Sequence, residues 1–494
     1  MKYVSSRNSK LQESPSMALI KGLADDGGLY TPLLNQRKLD LNELKDLTFQ
    51  ELSSKIVSFF IDDLTKEEIE ECVSKAYDDK FDTKQITPLR DASDYHILEL
   101  WHGPTSAFKD VALTLLPHLL SAAYRKNDYD KTLSILTATS GDTGKAALAS
   151  FADVKNTAIT VFYPEIGVSD IQKLQMATSK GNNVTVMAVK GNFDDCQRMV
   201  KEAYSNEKLL EGLDHVCLSS ANSINIGRLV PQTVYYYYAY FELIRNNEIN
   251  MNDQINFCVP TGNFGDILAG YLAKESGLPI KKLICASNRN NILSDFINTG
   301  RYDLDRNFYP TMSPSMDILI SSNLERLLFL LSEDASYVSS LMKKLQEDRF
   351  YEVDETMVNK LQDSFNAYWT SEEECKETIR KVFEEKKILI DPHTAVAVSA
   401  YEKYRKKSED DTKAVVLSTA SPYKFASDVL NSLGYEEKEP FEAMKKLNSI
   451  SGLSIPKNLA ELKEMPIRFD SSIAIEEGMD YIAKRLKEIN DAEY

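Results

Sequence analysis

Leu133-Ser134-Ile135-Leu136-Thr137 is a β-branched run that stops at Ser140-Gly141-Asp142-Thr143-Gly144, and a helical pattern begins at Lys145. Outward from this stretch the alternation continues. Residues 157–163 read as a second strand, Ser169-Asp170 caps a helix that stops at Gly181, 184–189 is a third strand, 194–204 the next helix and 215–218 a fourth strand. Strand and helix exchanging at this pace predict an open, largely parallel sheet. Further along, a long helix over 227–245 precedes a strand at 255–259, the loop Thr261-Gly262-Asn263-Phe264-Gly265-Asp266 and a helix to Gly277. Strands follow at 283–286 and 414–417, the latter ending at Ser418-Thr419-Ala420-Ser421-Pro422. The fold class is therefore α/β, with two open, mostly parallel twisted sheet lobes covered by helices on both faces. The expected organisation is a mainly helical N-terminal domain over 1–90, a first lobe over 91–220, a second lobe over 221–435 with a charged helical insertion at 320–390, and a helical tail over 436–494.

A chain of 494 residues is long enough for two to four domains and a large core. Lysine plus arginine against aspartate plus glutamate gives 58 − 75 = −17, a balance that excludes a nucleic-acid partner as a working reading but not a locally positive pocket for a small anion. The six cysteines include no C-x-x-C, and the five histidines no zinc spacing, so reduced thiols and no metal are expected. The opening MKYVSSRNSK has no apolar core of a signal peptide, and no apolar run approaches bilayer length. These features lead us to expect a cytoplasmic protein, monomeric or homodimeric, with no membrane partner.

In open α/β sheets ligands sit beyond the carboxyl ends of the strands. Three motifs lie at such ends: 140–144, 261–266 and 418–422. Gly262-Asn263-Phe264-Gly265-Asp266, between strand and helix, can offer unpaired N–H groups and a positive dipole end to a phosphate, or be only a tight turn. Ser140, Gly141, Asp142 and Thr143 can wrap a carboxylate, or merely cap the following helix. In Trp101-His102-Gly103-Pro104-Thr105-Ser106-Ala107-Phe108-Lys109-Asp110, Lys109 opens a helix after apolar and small residues. Desolvated there, it would have a lowered pKa and serve as imine former or base; the alternative is an ordinary surface lysine. Asn222, Ser223, Asn225 and Arg228 suit a second phosphate or a carboxylate, or form a capping box followed by a surface arginine. The run Tyr235–Tyr238 reads as helix packing, and His393 as either a pocket residue or a cap.

Together the blocks LADDGGLYTP, HGPTSAFKD, TATSGDTGKAAL, ANSINIGRL, VPTGNFGD, DPHTAVA and STASPYKF, in this order, resemble the threonine synthase family, pyridoxal-phosphate enzymes of the tryptophan-synthase-β-like group, fold type II. The resemblance runs over most of the chain. It implies a carbon–oxygen lyase that takes O-phospho-L-homoserine and water to L-threonine and phosphate, with pyridoxal 5'-phosphate as cofactor. It makes Lys109 the imine-forming lysine and places Gly262, Asn263, Phe264, Gly265 and Asp266 on the cofactor phosphate loop. Thr419 would meet the pyridine nitrogen, leaving the cofactor a milder electron sink than a carboxylate would. Ser140, Gly141, Asp142 and Thr143 would take the substrate carboxylate, with Asp142 near the cofactor O3′. Asn222, Ser223, Asn225 and Arg228 would lie near the substrate phosphate. Rival readings are a phospholyase releasing a 2-oxo acid, a serine/threonine dehydratase or cysteine synthase on the same scaffold, and a catalytically silent phosphate-binding regulator.

Overall fold

The run around Leu133 forms the strand Thr132–Ala138, and its neighbour Thr157–Pro164 is buried along its whole length, as a strand covered on both faces must be. In this computed structural model, which describes residues 1–129, 131–139, 141–166 and 168–492, the two lie inside a five-stranded, all-parallel sheet. Its order is Ser472–Ala474, Val184–Lys190, Thr157–Pro164, Thr132–Ala138, Val216–Ser219. A second, six-stranded sheet runs Phe365–Trp369, Ile280–Ser287, Ile255–Pro260, Ala414–Ser418, His96–Glu99, Leu89–Asp91, with only the last pair antiparallel. Two mostly parallel lobes are thus present.

The chain is interleaved between them in a way the expected boundaries do not capture. Leu89–Asp91 and His96–Glu99 fall at the expected junction of the N-terminal domain and the first lobe, yet both pair into the sheet of the second. The tail after 436 contains the helices Pro440–Ser451 and Gly478–Asn490, but also the strand Ser472–Ala474 that completes the first sheet. Ile482, Leu486 and Ile489 of the last helix pack with Leu136, Phe162, Val189 and Met199 of the first lobe. Residues 1–90 carry a three-stranded antiparallel sheet, Asn8–Glu13, Lys2–Ser5, Tyr30–Leu33, beside their helices. These strands are three to six residues long and partly polar, too short to impose a readable period. The charged insertion is helical apart from Phe350–Glu352 and Phe365–Trp369, and the latter is an edge strand of the six-stranded sheet.

The expected helix over 227–245 is broken by Pro231 into Ile226–Leu229, a tight turn over Val230–Gln232 and Thr233–Arg245. All four tyrosines of 235–238 are buried. Against this helix packs Phe49–Phe60, begun by a capping box of Thr48 and Glu51, with the Phe49 and Tyr238 rings 5.3 Å apart edge to face. Among the described residues, no helix is long and apolar enough to cross a membrane.

Because the tail is an integral part of the first lobe, Leu486→Ala, which empties a fully buried position, should lower stability by about 2–5 kcal/mol. A fall in the urea midpoint of the full chain checks this; an unchanged midpoint would mean that the tail is only draped on the surface.

Candidate active site

Lys109 begins the helix Lys109–Leu113, and the residues before it are held by the end of the strand Ala414–Ser418. Phe108 N–H donates to the Thr419 carbonyl at 2.8 Å, and Ser421 N–H donates to the Ser106 carbonyl at 3.1 Å. Ser106 has φ +58°, unusual for a residue with a side chain, and its neighbours over-determine it. Behind the turn, Asp110 accepts the Thr105 N–H at 2.8 Å and the Thr105 hydroxyl, closing the loop on itself. A Cβ on Gly103 would lie 2.5 Å from the Asp110 Cβ, which explains the glycine. The Lys109 side chain is 11% exposed. Burial pushes its amine down to about 8; Asp142 and Asp110 oppose this, while Lys424 and Arg228 add to it. The solvated surface lysine considered as an alternative is not what the fold contains.

Asp142, in the first turn of Asp142–Phe151, is the hub of the cleft. Its carboxylate lies 3.9 Å from Lys109 Nζ and 2.6 Å from Lys424 Nζ. It also accepts Gln172 Nε2 at 3.0 Å and the Ser315 hydroxyl at 3.4 Å. Burial alone would raise its pKa, but the two ammonium groups and these hydrogen bonds hold it well below the usual carboxylate range. The Thr139 hydroxyl accepts Gly141 N–H at 3.0 Å and Gly144 N–H at 2.9 Å, folding the loop back on its strand. Gly141 has φ +148°, and a Cβ there would lie 2.4 Å from the Gln172 amide. Thr143 follows Asp142 in the first turn, partly exposed; Ser140 lies outside the described residues.

The glycine loop joins Ile255–Pro260 to Gly265–Glu275. Phe264, 1% exposed, takes φ +62° to turn the chain into the helix. Gly262 faces the segment around Ser315 so closely that a Cβ would lie 2.8 Å from the Ser315 carbonyl oxygen. The Gly262 carbonyl accepts the Ser321 hydroxyl at 2.8 Å, and the Asn263 carbonyl accepts Asn323 N–H at 3.1 Å. Ser315 therefore touches both the glycine loop and Asp142, and through Asp142 it connects the loop to Lys109. Ser315 N–H itself donates to His393 Nε2 at 3.2 Å, and His393 Nδ1 sits 2.7 Å from Asp391. With Nε2 accepting from Ser315, Nδ1 is the ring nitrogen that faces Asp391, and His393 supports the loop from behind.

Asp266 accepts the hydroxyls of Tyr235 and Tyr236 on Oδ1, and its Oδ2 is buried with no hydrogen-bond partner among the described residues. Burial raises its pKa to about 6, against the two tyrosines and Lys109. Arg228 is 3% exposed, donates Nη1–H to the Ala221 carbonyl at 2.7 Å and leaves Nε buried and unpaired. Burial pushes its pKa down to about 10. Asn225 spends its amide on the carbonyls of Leu19 and Ser220 and on Gly227 N–H, so it shapes the loop as a cap. Asn222 and Ser223 are partly exposed beside it.

Lys109, Asp142, the glycine loop and Thr419 thus come together at the carboxyl ends of both sheets. Sequence reasoning missed Lys424, Gln172, Ser315 and the two tyrosine hydroxyls on Asp266. Lys424 lies inside the STASPYKF block and the two tyrosines inside the run 235–238 read as helix packing; Gln172 and Ser315 come from segments with no site motif of their own.

Residues 85–420 match the family model for pyridoxal-phosphate dependent enzymes, residues 2–77 the threonine synthase N terminus, and residues 394–474 the threonine synthase C-terminal region. The threonine synthase of Saccharomyces cerevisiae is 35% identical over 487 residues, covering 91% of this chain and 93% of that protein. The Pseudomonas aeruginosa enzyme is 36% identical, with 94% of each chain covered. Human threonine synthase-like 1 is 40% identical over 85% of this chain, which spans only 58% of that relative's length. Among solved structures, a PLP-bound threonine synthase from Brucella melitensis superposes with a TM-score of 0.87 at 35% identity over 100% of both chains. The yeast threonine synthase structure gives 0.88 at 34% identity over 99% of each. The sheet order, the cleft and these matches agree: the chain belongs to the threonine synthase family of pyridoxal-phosphate-dependent enzymes.

Proposed function

We propose that this chain is a threonine synthase, converting O-phospho-L-homoserine and water into L-threonine and phosphate. The observation that carries the proposal is the buried Lys109 amine, brought down to about 8 and set 3.9 Å from Asp142 at the junction of both lobes. The residues present fit pyridoxal phosphate. Phe264 turns the glycine loop into the N-terminus of Gly265–Glu275, where backbone N–H groups and the helix dipole favour a phosphate. Among the described residues two buried polar atoms here have no partner: Asp266 Oδ2, on this loop, and Arg228 Nε, left for the substrate.

On this reading Lys109 would hold the cofactor, residues 262–266 would cradle its phosphate, and Thr419, its carbonyl fixed by the Phe108 N–H, would supply the hydroxyl for the pyridine nitrogen. Bound there, pyridoxal phosphate supplies an electron sink for negative charge developing next to the substrate amine. Lys109, once released, is the proton carrier: an amine with a pKa near 8 takes and returns protons at neutral pH with little bias either way. It removes the Cα and Cβ protons, and a proton is returned to Cγ after phosphate leaves. Water then adds at Cβ, giving the threonine hydroxyl, and Lys109 returns a proton to Cα, the last proton leaving with the phosphate. The N–H groups of Asp142 and Thr143 and the Thr143 hydroxyl take the substrate carboxylate, Gly141 N–H being held by Thr139. Arg228, with Asn222 and Ser223, receives the charge that develops on the departing phosphate, and Asn225 holds their loop.

Purified protein should be yellow and should release threonine and phosphate in equal amounts. Lys109→Ala should abolish both the product and the borohydride-reducible bond to the cofactor, read by peptide mass. Release of 2-oxobutyrate with phosphate would instead identify a phospholyase.

Arg228→Ala should raise KM for phosphohomoserine by about tenfold or more, the worth of a charge-assisted hydrogen bond, while cofactor content stays near one per chain. Equal loss of both would move the arginine to the cofactor.

Only the neutral amine attacks an aldehyde, so cofactor uptake by stripped protein should slow about tenfold per pH unit below 8 and level off above it. Stopped-flow absorbance checks this; a rise continuing to pH 10 would mean that the amine is solvated.

A further inference from the structure

Lys424 is the least expected charge in the molecule. Its side chain is 1% exposed, and it lies in the turn Pro422–Phe425 that follows the strand Ala414–Ser418. Nζ makes two contacts, 2.6 Å to Asp142 Oδ1 and 3.2 Å to the Thr105 carbonyl, which it meets as a donor. The other oxygen of the same carboxylate faces Lys109 Nζ at 3.9 Å. Asp142 and Gln172 come from the first lobe, whereas Lys424 and Ser315 come from elements around the second sheet. One buried anion therefore stands between two buried ammonium groups, and its geometry is fixed by neutral donors on either side.

Removing an ion from water costs several kcal/mol even after relaxation, so a second lysine here is not explained by stability alone. A single carboxylate beside Lys109 would favour the protonated nitrogen, as an opposite charge within 4–6 Å generally does. A cation on the far side of that carboxylate cancels most of the effect. The remaining charged groups around Lys109 are Arg228 from Ile226–Leu229, Asp266 from Gly265–Glu275, and Asp110 on its own helix. Asp110 and Asp266 are carboxylates and cannot replace a cation beside Asp142; Arg228 donates to the Ala221 carbonyl, and Lys145, on the helix of Asp142, faces Asp110 and Lys424.

We propose that Lys424 is a positioning residue for the reaction: by neutralising Asp142 across the cleft, it keeps the nitrogen of Lys109 able to lose its proton at neutral pH while leaving Asp142 in place. The inference rests on the cofactor reading above and adds to it a residue that acts on Lys109 through Asp142.

The test is a pH titration of the visible absorbance of the yellow holoenzyme, which reports protonation of the Lys109 nitrogen directly and without turnover. Lys424→Met should move the midpoint upward by about one pH unit or more, because Asp142 is left uncompensated. Asp142→Asn, which keeps the shape and the Gln172 contact, should move it downward by a similar amount. The double variant should return to within a few tenths of a unit of wild type, and Lys424→Arg, keeping the charge, should stay close to it. Thermal midpoints measured on the same samples separate folding from titration. If Lys424→Met does not fold, the downward shift of Asp142→Asn and its reversal on adding Lys424→Gln still decide. Single variants that shift the same way, or a double variant that sums their defects, would overturn the inference while leaving the yellow wild-type enzyme and the proposed function intact. A colourless wild-type protein would overturn both.

Discussion

The site depends on a short piece of backbone pairing between residues far apart in sequence. Phe108 donates to Thr419 and Ser421 to Ser106, with Ala107 and Ala420 bridged between them. This pairing fixes the first turn of Lys109–Leu113 against the end of the strand Ala414–Ser418. A lysine side chain has about 2 kcal/mol of rotamer entropy to lose, and its backbone must be rigid if the amine is to be aimed. Holding the backbone and leaving the side chain free meets both needs. The left-handed turn at Ser106 is kept in place by the same hydrogen bonds.

Around that anchor, charge is arranged in layers. Innermost are Lys109, Asp142 and Lys424, buried, with both lysines paired to the one carboxylate. Next come Arg228 and Asp266, each with one buried polar atom left over. Outside lie neutral donors and acceptors, such as Gln172, Ser315, the His393 ring and two tyrosine hydroxyls, that hold the ions in place without adding charge. A net charge of −17 over the surface does not contradict a cation-rich interior, because water and salt screen the outer charges over about 8–10 Å and the inner ones hardly at all. A small anion would meet its counter-charges only after it has entered.

Much of this was legible in the sequence, and the reasons are local. The strands Thr132–Ala138, Thr157–Pro164 and Ile255–Pro260 are buried on both faces, so their apolar runs are continuous and plain to read. Gly141 and Gly262 stand where a Cβ would collide with Gln172 or Ser315, so the loops announce themselves by composition. Lys424 could not be picked out, because its burial depends on Asp142, 282 residues away, and no spacing rule carries that information. Ser315 belongs to a stretch that looks like an ordinary loop until its N–H is found on His393. Strands of three or four residues, such as Ser472–Ala474 and Leu89–Asp91, hold no period long enough to detect. It was those short strands that placed the lobe boundaries differently from expectation.

The strand Ser472–Ala474 has a consequence for how the molecule is made. It lies at one edge of a sheet whose other four members are all synthesised by Ser219, about 250 residues earlier. At 5–20 residues per second, a ribosome needs roughly 13–50 s to cover that interval. Throughout it, Val184–Lys190 is an unprotected border and the apolar surface that later receives Ile482, Leu486 and Ile489 is bare. The first lobe therefore waits, nearly assembled, until Ser472–Ala474 and Gly478–Asn490 have been made, and that interval is when a chaperone would serve it best.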